Sequence, residues 1–165
     1  MRRLRRRCEQ RLAGLVIPHP FDLDAFAAVV AAHRGRPLTL RPMPGLGTGA
    51  PCGLWLSLAS ADYVFYDPGT SRLHAEHIVL HELAHMLSGH RTGLDVSGGA
   101  LARLAPDLDP RTVERILGRV SYTTAQEREA EMMASLIRAR AARPAPRTLG
   151  GGSLGRLADV LKFRL

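Results

Sequence analysis

Residues 73–89 read LHAEHIVLHELAHMLSG and predict a single long helix. Leucine, isoleucine and alanine recur along this stretch at helical spacing, so one face of the helix is predominantly apolar. The helix is expected to begin near Ser71 and to end at Gly89 or Gly93, since glycine commonly follows the last helical turn. Histidines interrupt the apolar face, and the rest of the chain has to provide the residues that accompany them in a site.

The decisive part of this helix is His81-Glu82-Leu83-Ala84-His85. Residues four apart lie one helical turn apart on the same face, so both imidazoles can bind one metal ion. Glu82 lies at the edge of that face, within reach of a water molecule on the ion. Buried histidines without a ligand would be costly in an apolar helix face. The pattern is therefore typical of a zinc hydrolase and unlike a pair of ordinary core histidines.

Catalytic zinc takes three protein ligands, so the histidine pair requires a partner. His77 lies on the same stripe, but a separation of eight residues from His85 corresponds to a rise of roughly 12 Å, too far for one ion. His77 is expected to be partly exposed or to support the ligands. His90 does not match the spacing of a third histidine and is expected to belong to the helix end.

The better candidate for the third ligand is Glu127, in a helix expected from about Thr124 to Ala142. Glu127 and Glu131 share a face with small residues, whereas Glu129 points away. The alternative is a capping box, in which the side chain of Glu127 only bonds the helix start at Thr124. Both interpretations stay open from the residues alone, although the histidine pair favours the ligand.

The rest of the chain alternates helices and strands. An amphipathic first helix has Leu4, Cys8, Leu12 and Leu15 on its apolar face, and a second helix begins at Asp22 or Asp24 and continues to about His33. Strands are predicted at Leu38–Arg41, Gly53–Leu58 and Tyr63–Tyr66, the last two as an antiparallel hairpin. Further short helices are predicted at Leu101–Leu104 and Asp109–Gly118. This order of elements predicts an α+β fold that is mostly helical.

The 165 residues are enough for one domain, expected at 1–143, followed by a proline- and glycine-rich linker and a short amphipathic tail at 144–165. No apolar run is long enough to span a membrane, and the two cysteines form no disulfide framework, so a cytoplasmic protein is expected. The net charge is +8, but the arginines cluster on the polar face of the first helix. Without a nucleic-acid-binding motif, direct binding of nucleic acid is not expected.

The segments HELAHMLSGH, the preceding YVFYD and the later EREAEMMASLI resemble the ImmA/IrrE-type zinc metallopeptidases. The resemblance implies a small zincin-like α+β domain in which a short three-stranded, largely antiparallel sheet packs on the HExxH helix. It also implies one zinc ion per chain, bound by His81, His85 and Glu127, with Glu82 as the general base. Glu131 departs from the family pattern, which usually has Asn or Asp there.

The resemblance further implies a metallo-endopeptidase that cleaves a specific regulatory protein, such as a helix-turn-helix repressor. The alternative is a regulatory or interaction module in which the metal only stabilises the fold. Tyr122, His90 or an arginine is a candidate donor to the oxyanion, although an aromatic residue before a helix more often packs as a hydrophobic staple. The second strand is expected to offer an open edge to an extended peptide.

Overall fold

The computed structural model describes residues 1–44, 53–58, 60–90 and 122–143. These residues form an α+β domain of four helices and three strands: α1 (Arg2–Arg11), α2 (Leu23–Arg34), β1 (Leu38–Pro42), β2 (Gly53–Ser57), β3 (Asp62–Tyr66), α3 (Arg72–Ser88) and α4 (Thr124–Ala141). The short helices predicted between 91 and 121 and the tail at 144–165 lie outside the described residues.

Local capping groups set the ends of α2 and α3. The Asp22 carboxylate accepts a hydrogen bond from the backbone N–H of Ala25 at 2.7 Å, so Asp22 rather than Asp24 begins α2. Ser71 caps α3, as predicted. Gly89 ends α3 in the left-handed conformation, with φ of 66°, which a glycine adopts without strain. Of the two glycines considered, Gly89 therefore terminates the helix.

The sheet has the strand order β1-β3-β2 and is mixed. β2 pairs with β3 in antiparallel orientation, as predicted for the hairpin. β1 pairs with β3 in parallel orientation, so the prediction of a largely antiparallel sheet is wrong for one of the two pairings. The reason is that β3 inserts between the two earlier strands: β1 and β2 run in opposite directions but are not neighbours.

The core lies between the sheet and the helices. α3 packs on the sheet face that carries Trp55 and Val64, α4 packs along α3, and α1 packs on α4. The residues predicted to face inward from α4 are buried, with the exception of Ala141, which is only partly buried: Ala130, Met133, Ala134 and Ile137. Small alanines in this face allow two helices to approach closely. α3 is thereby enclosed on two sides, and its histidines face α4.

The polar faces agree with the charge pattern of the sequence. The arginines at positions 2, 3, 5, 6 and 7 of α1 are exposed, while Cys8 and Leu12 are fully buried.

None of the helices in the described ranges combines the length and the hydropathy that a membrane crossing requires.

A buried carboxylate joins α2 to the sheet. Asp62 of β3 accepts hydrogen bonds from Arg34 Nε at 2.9 Å and from the indole N–H of Trp55 at 3.2 Å. The Arg34 guanidinium also stacks over the Trp55 ring, 5.3 Å from its centroid. A fully buried carboxylate requires such partners, since an unpaired charge in the core is strongly unfavourable. This pairing fixes Trp55 in β2, directly beside the histidine helix.

Candidate metal centre

Three of the predicted residues converge where the first turn of α4 faces α3. His81 Nε2 lies 3.0 Å from His85 Nε2 and 3.1 Å from Glu127 Oε2, and His85 Nε2 lies 3.8 Å from the same oxygen. These three residues thus offer ligand atoms within 4.8 Å of one another. The predicted triad is brought together by two helices that are far apart in the sequence.

The triad fits a tetrahedral metal ion. Ligand atoms about 2.0–2.1 Å from a shared tetrahedral ion lie about 3.4 Å apart, and the three observed separations fall on either side of that value. Two imidazoles and a carboxylate are a donor set that zinc prefers. His85 is fully buried, whereas His81 and Glu127 are partly accessible, so the triad is closed on one side and open on the other.

His85 is held as a neutral imidazole, the form that binds a metal. Burial, together with the charges of the neighbouring His81 and His90, lowers the pKa of His85 to about 3. The ring therefore has a free nitrogen lone pair throughout the neutral pH range.

Glu82 is close to the triad but is not one of its ligands. Its carboxylate is buried, and Oε2 accepts a hydrogen bond from the backbone N–H of Trp55 at 3.0 Å. The pKa of Glu82 is raised to about 8, chiefly by burial; the Trp55 hydrogen bond partly opposes the rise, and the charge of Glu127 adds to it. A carboxylate with a pKa near neutrality suits proton transfer.

Gly53 allows β2 to approach Glu82. A Cβ atom at position 53 would lie 2.6 Å from Ile78 Cγ2 and 3.0 Å from Glu82 Oε1. Any other residue would therefore push the strand away from α3. The glycine at the start of β2 is what brings the Trp55 amide within hydrogen-bond distance of Glu82.

The predicted capping box is wrong by one position. Thr123, not Thr124, is the N-cap of α4, and its partner is Gln126. The Gln126 side chain accepts a hydrogen bond from the Thr123 backbone N–H at 2.9 Å, and Thr123 Oγ1 accepts one from the Gln126 backbone N–H at 3.3 Å. Glu127 therefore takes no part in the cap, and its carboxylate faces the histidines.

Glu131 and His77 lie behind His81. Glu131 Oε2 is 3.1 Å from His77 Nε2 and 3.6 Å from His81 Nδ1, the nitrogen that faces away from the triad. His77 is partly exposed, as predicted. Glu131 is thus placed to orient His81 rather than to join the triad.

The ring of Tyr122 covers one face of the His85 ring. The two rings are stacked, with centroids 3.6 Å apart and an interplanar angle of 23°. The phenolic oxygen is buried, and it has no hydrogen-bond partner among the described residues. Burial raises the pKa of Tyr122, and the charges of Glu82 and Glu127 raise it further. Tyr122 is therefore a neutral hydrogen-bond donor beside the triad rather than a hydrophobic staple.

The sequence reasoning missed the role of His90. His90 is buried, and its Nδ1 lies 3.0 Å from His85 Nδ1. His90 is held there by a Schellman motif at the end of α3. The His90 N–H donates to the carbonyl of His85, and the Gly89 N–H donates to the carbonyl of Met86. In this motif the residue after the glycine packs back on the last helical turn. The Gly-His pair at the helix end was therefore a usable signal.

Comparisons with protein-family models, curated proteins and solved structures gave no match. The likeness to the ImmA/IrrE-type metallopeptidases therefore rests on the motif residues of the sequence. The function is argued from the geometry of His81, Glu82, His85 and Glu127.

Proposed function

We propose that this protein is a zinc-dependent metallo-endopeptidase with a zincin-like domain, acting on a specific regulatory protein such as a helix-turn-helix repressor. The single observation that carries the proposal is the arrangement of four side chains. Three ligand atoms, from His81, His85 and Glu127, converge on one point. A fourth side chain, Glu82, is held beside them by a backbone amide and is not needed as a ligand.

His81, His85 and Glu127 would hold the ion. Zinc bound in this way activates water and polarises a carbonyl group. Glu82 then has the role of general base, because its carboxylate is anchored through one oxygen and can accept a proton on the other. The positive charge of a bound ion would favour the ionised form of Glu82 and oppose the effect of burial on its pKa.

β2 supports a peptide as the substrate. It is a terminal strand of the described sheet, and the edge that would receive a peptide adjoins Glu82. The Trp55 N–H is already bonded to Glu82, so a peptide would pair with the remaining backbone groups of that edge. An extended chain can add to a strand edge through backbone hydrogen bonds, which suits peptides of varied sequence. Because β2 adjoins Glu82, a peptide bound along this edge would pass the general base.

Tyr122 supplies a donor for the oxyanion that forms when a peptide carbonyl is attacked. Within the part of the chain that the structure describes, its hydroxyl is buried and has no hydrogen-bond partner, and its raised pKa keeps it neutral. A preorganised donor of this kind stabilises negative charge in the transition state without being reoriented.

A metal ion with a purely structural role is usually coordinated by a different set of ligands. Structural zinc sites usually close the fourth position with cysteine or histidine. Cys8, the cysteine within the described residues, is buried in α1 and contacts the backbone carbonyl of Glu129. A buried glutamate beside an open position favours hydrolysis instead.

The decisive experiment compares Glu82→Gln with the double variant His81→Ala, His85→Ala. Each zinc-treated protein is incubated with a proteome-derived peptide library and with co-expressed candidate repressors, and cleavage is read by mass spectrometry. Glu82→Gln should bind zinc like the wild type but lose about 10²- to 10⁴-fold in activity. The cellular phenotypes of the two variants are compared as well. If the wild type cleaves none of these substrates, and Glu82→Gln supports the cellular function that the double variant loses, the protein is a regulatory module whose metal stabilises the fold.

A further inference from the structure

A chain of buried polar groups continues from His85 away from the triad. His85 Nε2 faces His81 and Glu127, while His85 Nδ1 lies 3.0 Å from His90 Nδ1. His90 Nε2 in turn lies 3.5 Å from Glu129 Oε2. His85, His90 and Glu129 are all buried, so water does not substitute for these contacts.

Two arginines of α1 hold the far end of the chain. Arg7 Nη2 donates to Glu129 Oε2 at 2.8 Å. Arg11 Nε lies 3.4 Å from Glu129 Oε1 as an ion pair that is not aligned as a hydrogen bond. Arg7 and Arg11 thereby give the buried Glu129 side chain two cationic partners, and an unpaired charge in that position would be unfavourable.

The protons of this chain can be assigned in one consistent direction. A metal bound to Nε2 leaves the proton of His85 on Nδ1, which makes that nitrogen a donor. His90 Nδ1 must then be the acceptor, so the proton of His90 is on Nε2, the nitrogen that faces Glu129. Glu129 accepts at the end and donates nothing. The reverse direction would place the proton of His85 on Nε2 and block the ligand position.

We propose that His90 and Glu129 are positioning residues that hold His85 in the ring orientation and tautomer needed for metal binding, with Arg7 and Arg11 fixing Glu129. This inference rests on the proposed metal site. In this arrangement each ligand histidine has a carboxylate on the side away from the triad. Glu131 contacts His81 directly, and Glu129 acts on His85 through His90. Partners of ligand histidines typically affect metal affinity about 10- to 100-fold.

The test measures zinc affinity, not activity, by competition with a chromogenic chelator. His90→Phe keeps a ring of similar size but no nitrogen, and Glu129→Met keeps the length of the side chain but no oxygen. Both should bind zinc about 10- to 100-fold more weakly than the wild type. His90→Asn, whose amide oxygen can accept near the position of Nδ1, should recover most of the loss. His33→Phe, an exposed site on α2, is the matched control and should bind like the wild type.

A second measurement uses the wild type alone, so it does not depend on whether the variants fold. The ¹⁵N shifts of His90 in the zinc-loaded wild type report which ring nitrogen carries the proton, and the expected form has the proton on Nε2. A proton on His90 Nδ1, or zinc affinity of His90→Phe within about two-fold of the wild type, would overturn the proposal. If the wild type itself binds no zinc, the proposed function fails instead, so the two failures are distinguishable.

Discussion

The carboxylate of Glu82 is bonded to the backbone N–H of Trp55, 3.0 Å away across the interface between α3 and β2. The position of the proposed general base is therefore set by the main chain of a sheet strand. The Trp55 indole is fixed separately, by the buried carboxylate of Asp62. Because a backbone donor persists in most side-chain variants, Glu82 is disturbed chiefly by changes that move β2 itself.

Gly53→Ala is such a change. The added Cβ would lie 2.6 Å from Ile78 Cγ2, so β2 has to shift away from α3. We expect a loss of about 1–3 kcal/mol in the free energy of unfolding, measured by urea denaturation. Gly14→Ala is the control, since nothing lies within 4 Å of its added Cβ, and it should change stability by less than about 0.5 kcal/mol. Equal effects in both variants would contradict the proposed close approach.

Glu127→Gln and Glu131→Gln distinguish the ligand from its neighbour. Both glutamates are partly exposed on α4, so the two substitutions are comparable in their effect on the fold. Glu127→Gln should weaken zinc binding by more than the about 10- to 100-fold typical of losing an outer partner, and Glu131→Gln by no more than that. Elemental analysis after dialysis checks the order. Retention of zinc by Glu127→Gln together with its loss from Glu131→Gln would reverse the assignment.

The stability of the metal-free protein should fall as pH rises from about 6.5 to 8. Glu82 has an ordinary pKa of 4.5 and a pKa raised to about 8 in the folded protein, so the folded state binds a proton that the unfolded state releases. The contribution of this proton to the free energy of unfolding is fully present below pH 4.5 and is lost as the pH rises through 8. The lowered pKa of His85 acts oppositely, but only below its ordinary value of 6.5.

The check is the melting temperature of chelator-treated protein between pH 6.5 and 8.5. The wild type should show the decrease, and Glu82→Gln, which cannot ionise, should show little of it. The same slope in both proteins would mean that another group titrates.

Tyr122→Phe should separate metal binding from catalysis. The phenylalanine ring can keep the stacking on His85, while the unpartnered hydroxyl is removed. Zinc affinity should stay close to that of the wild type, and kcat on a cleavable peptide should fall about 10²- to 10³-fold, the range for losing one oxyanion donor. Unchanged kcat would show that another group stabilises the oxyanion.

Sequence reasoning succeeded where the determining contacts are local. The ends of α2 and α3 follow from Asp22, Ser71 and Gly89, each of which acts within a few residues of itself. The His81–His85 pair was also predictable, because helical spacing alone puts both rings on one face.

Contacts between distant parts of the chain were predicted only in part. Glu127, 46 residues from His81, was expected at the histidines, but two other long-range features were missed. The parallel pairing of β1 with β3 depends on which strand lies in the middle of the sheet, and no local pattern encodes that order. The polar chain behind His85 depends on Glu129, which lies 122 positions from Arg7. The shift of the capping box from Thr124 to Thr123 is different in kind, since Thr123 with Gln126 matches the same local pattern as Thr124 with Glu127.

The packing of α1 on α4 also governs when the protein can begin to work. Arg7 leaves the ribosome 122 residues before Glu129, an interval on the order of ten seconds at ordinary rates of translation. In the last part of that interval the nascent chain contains His81 and His85 but not yet Glu127. An unfinished chain therefore cannot assemble the three-ligand centre, and any hydrolysis that depends on it starts only after the last described helix has been synthesised.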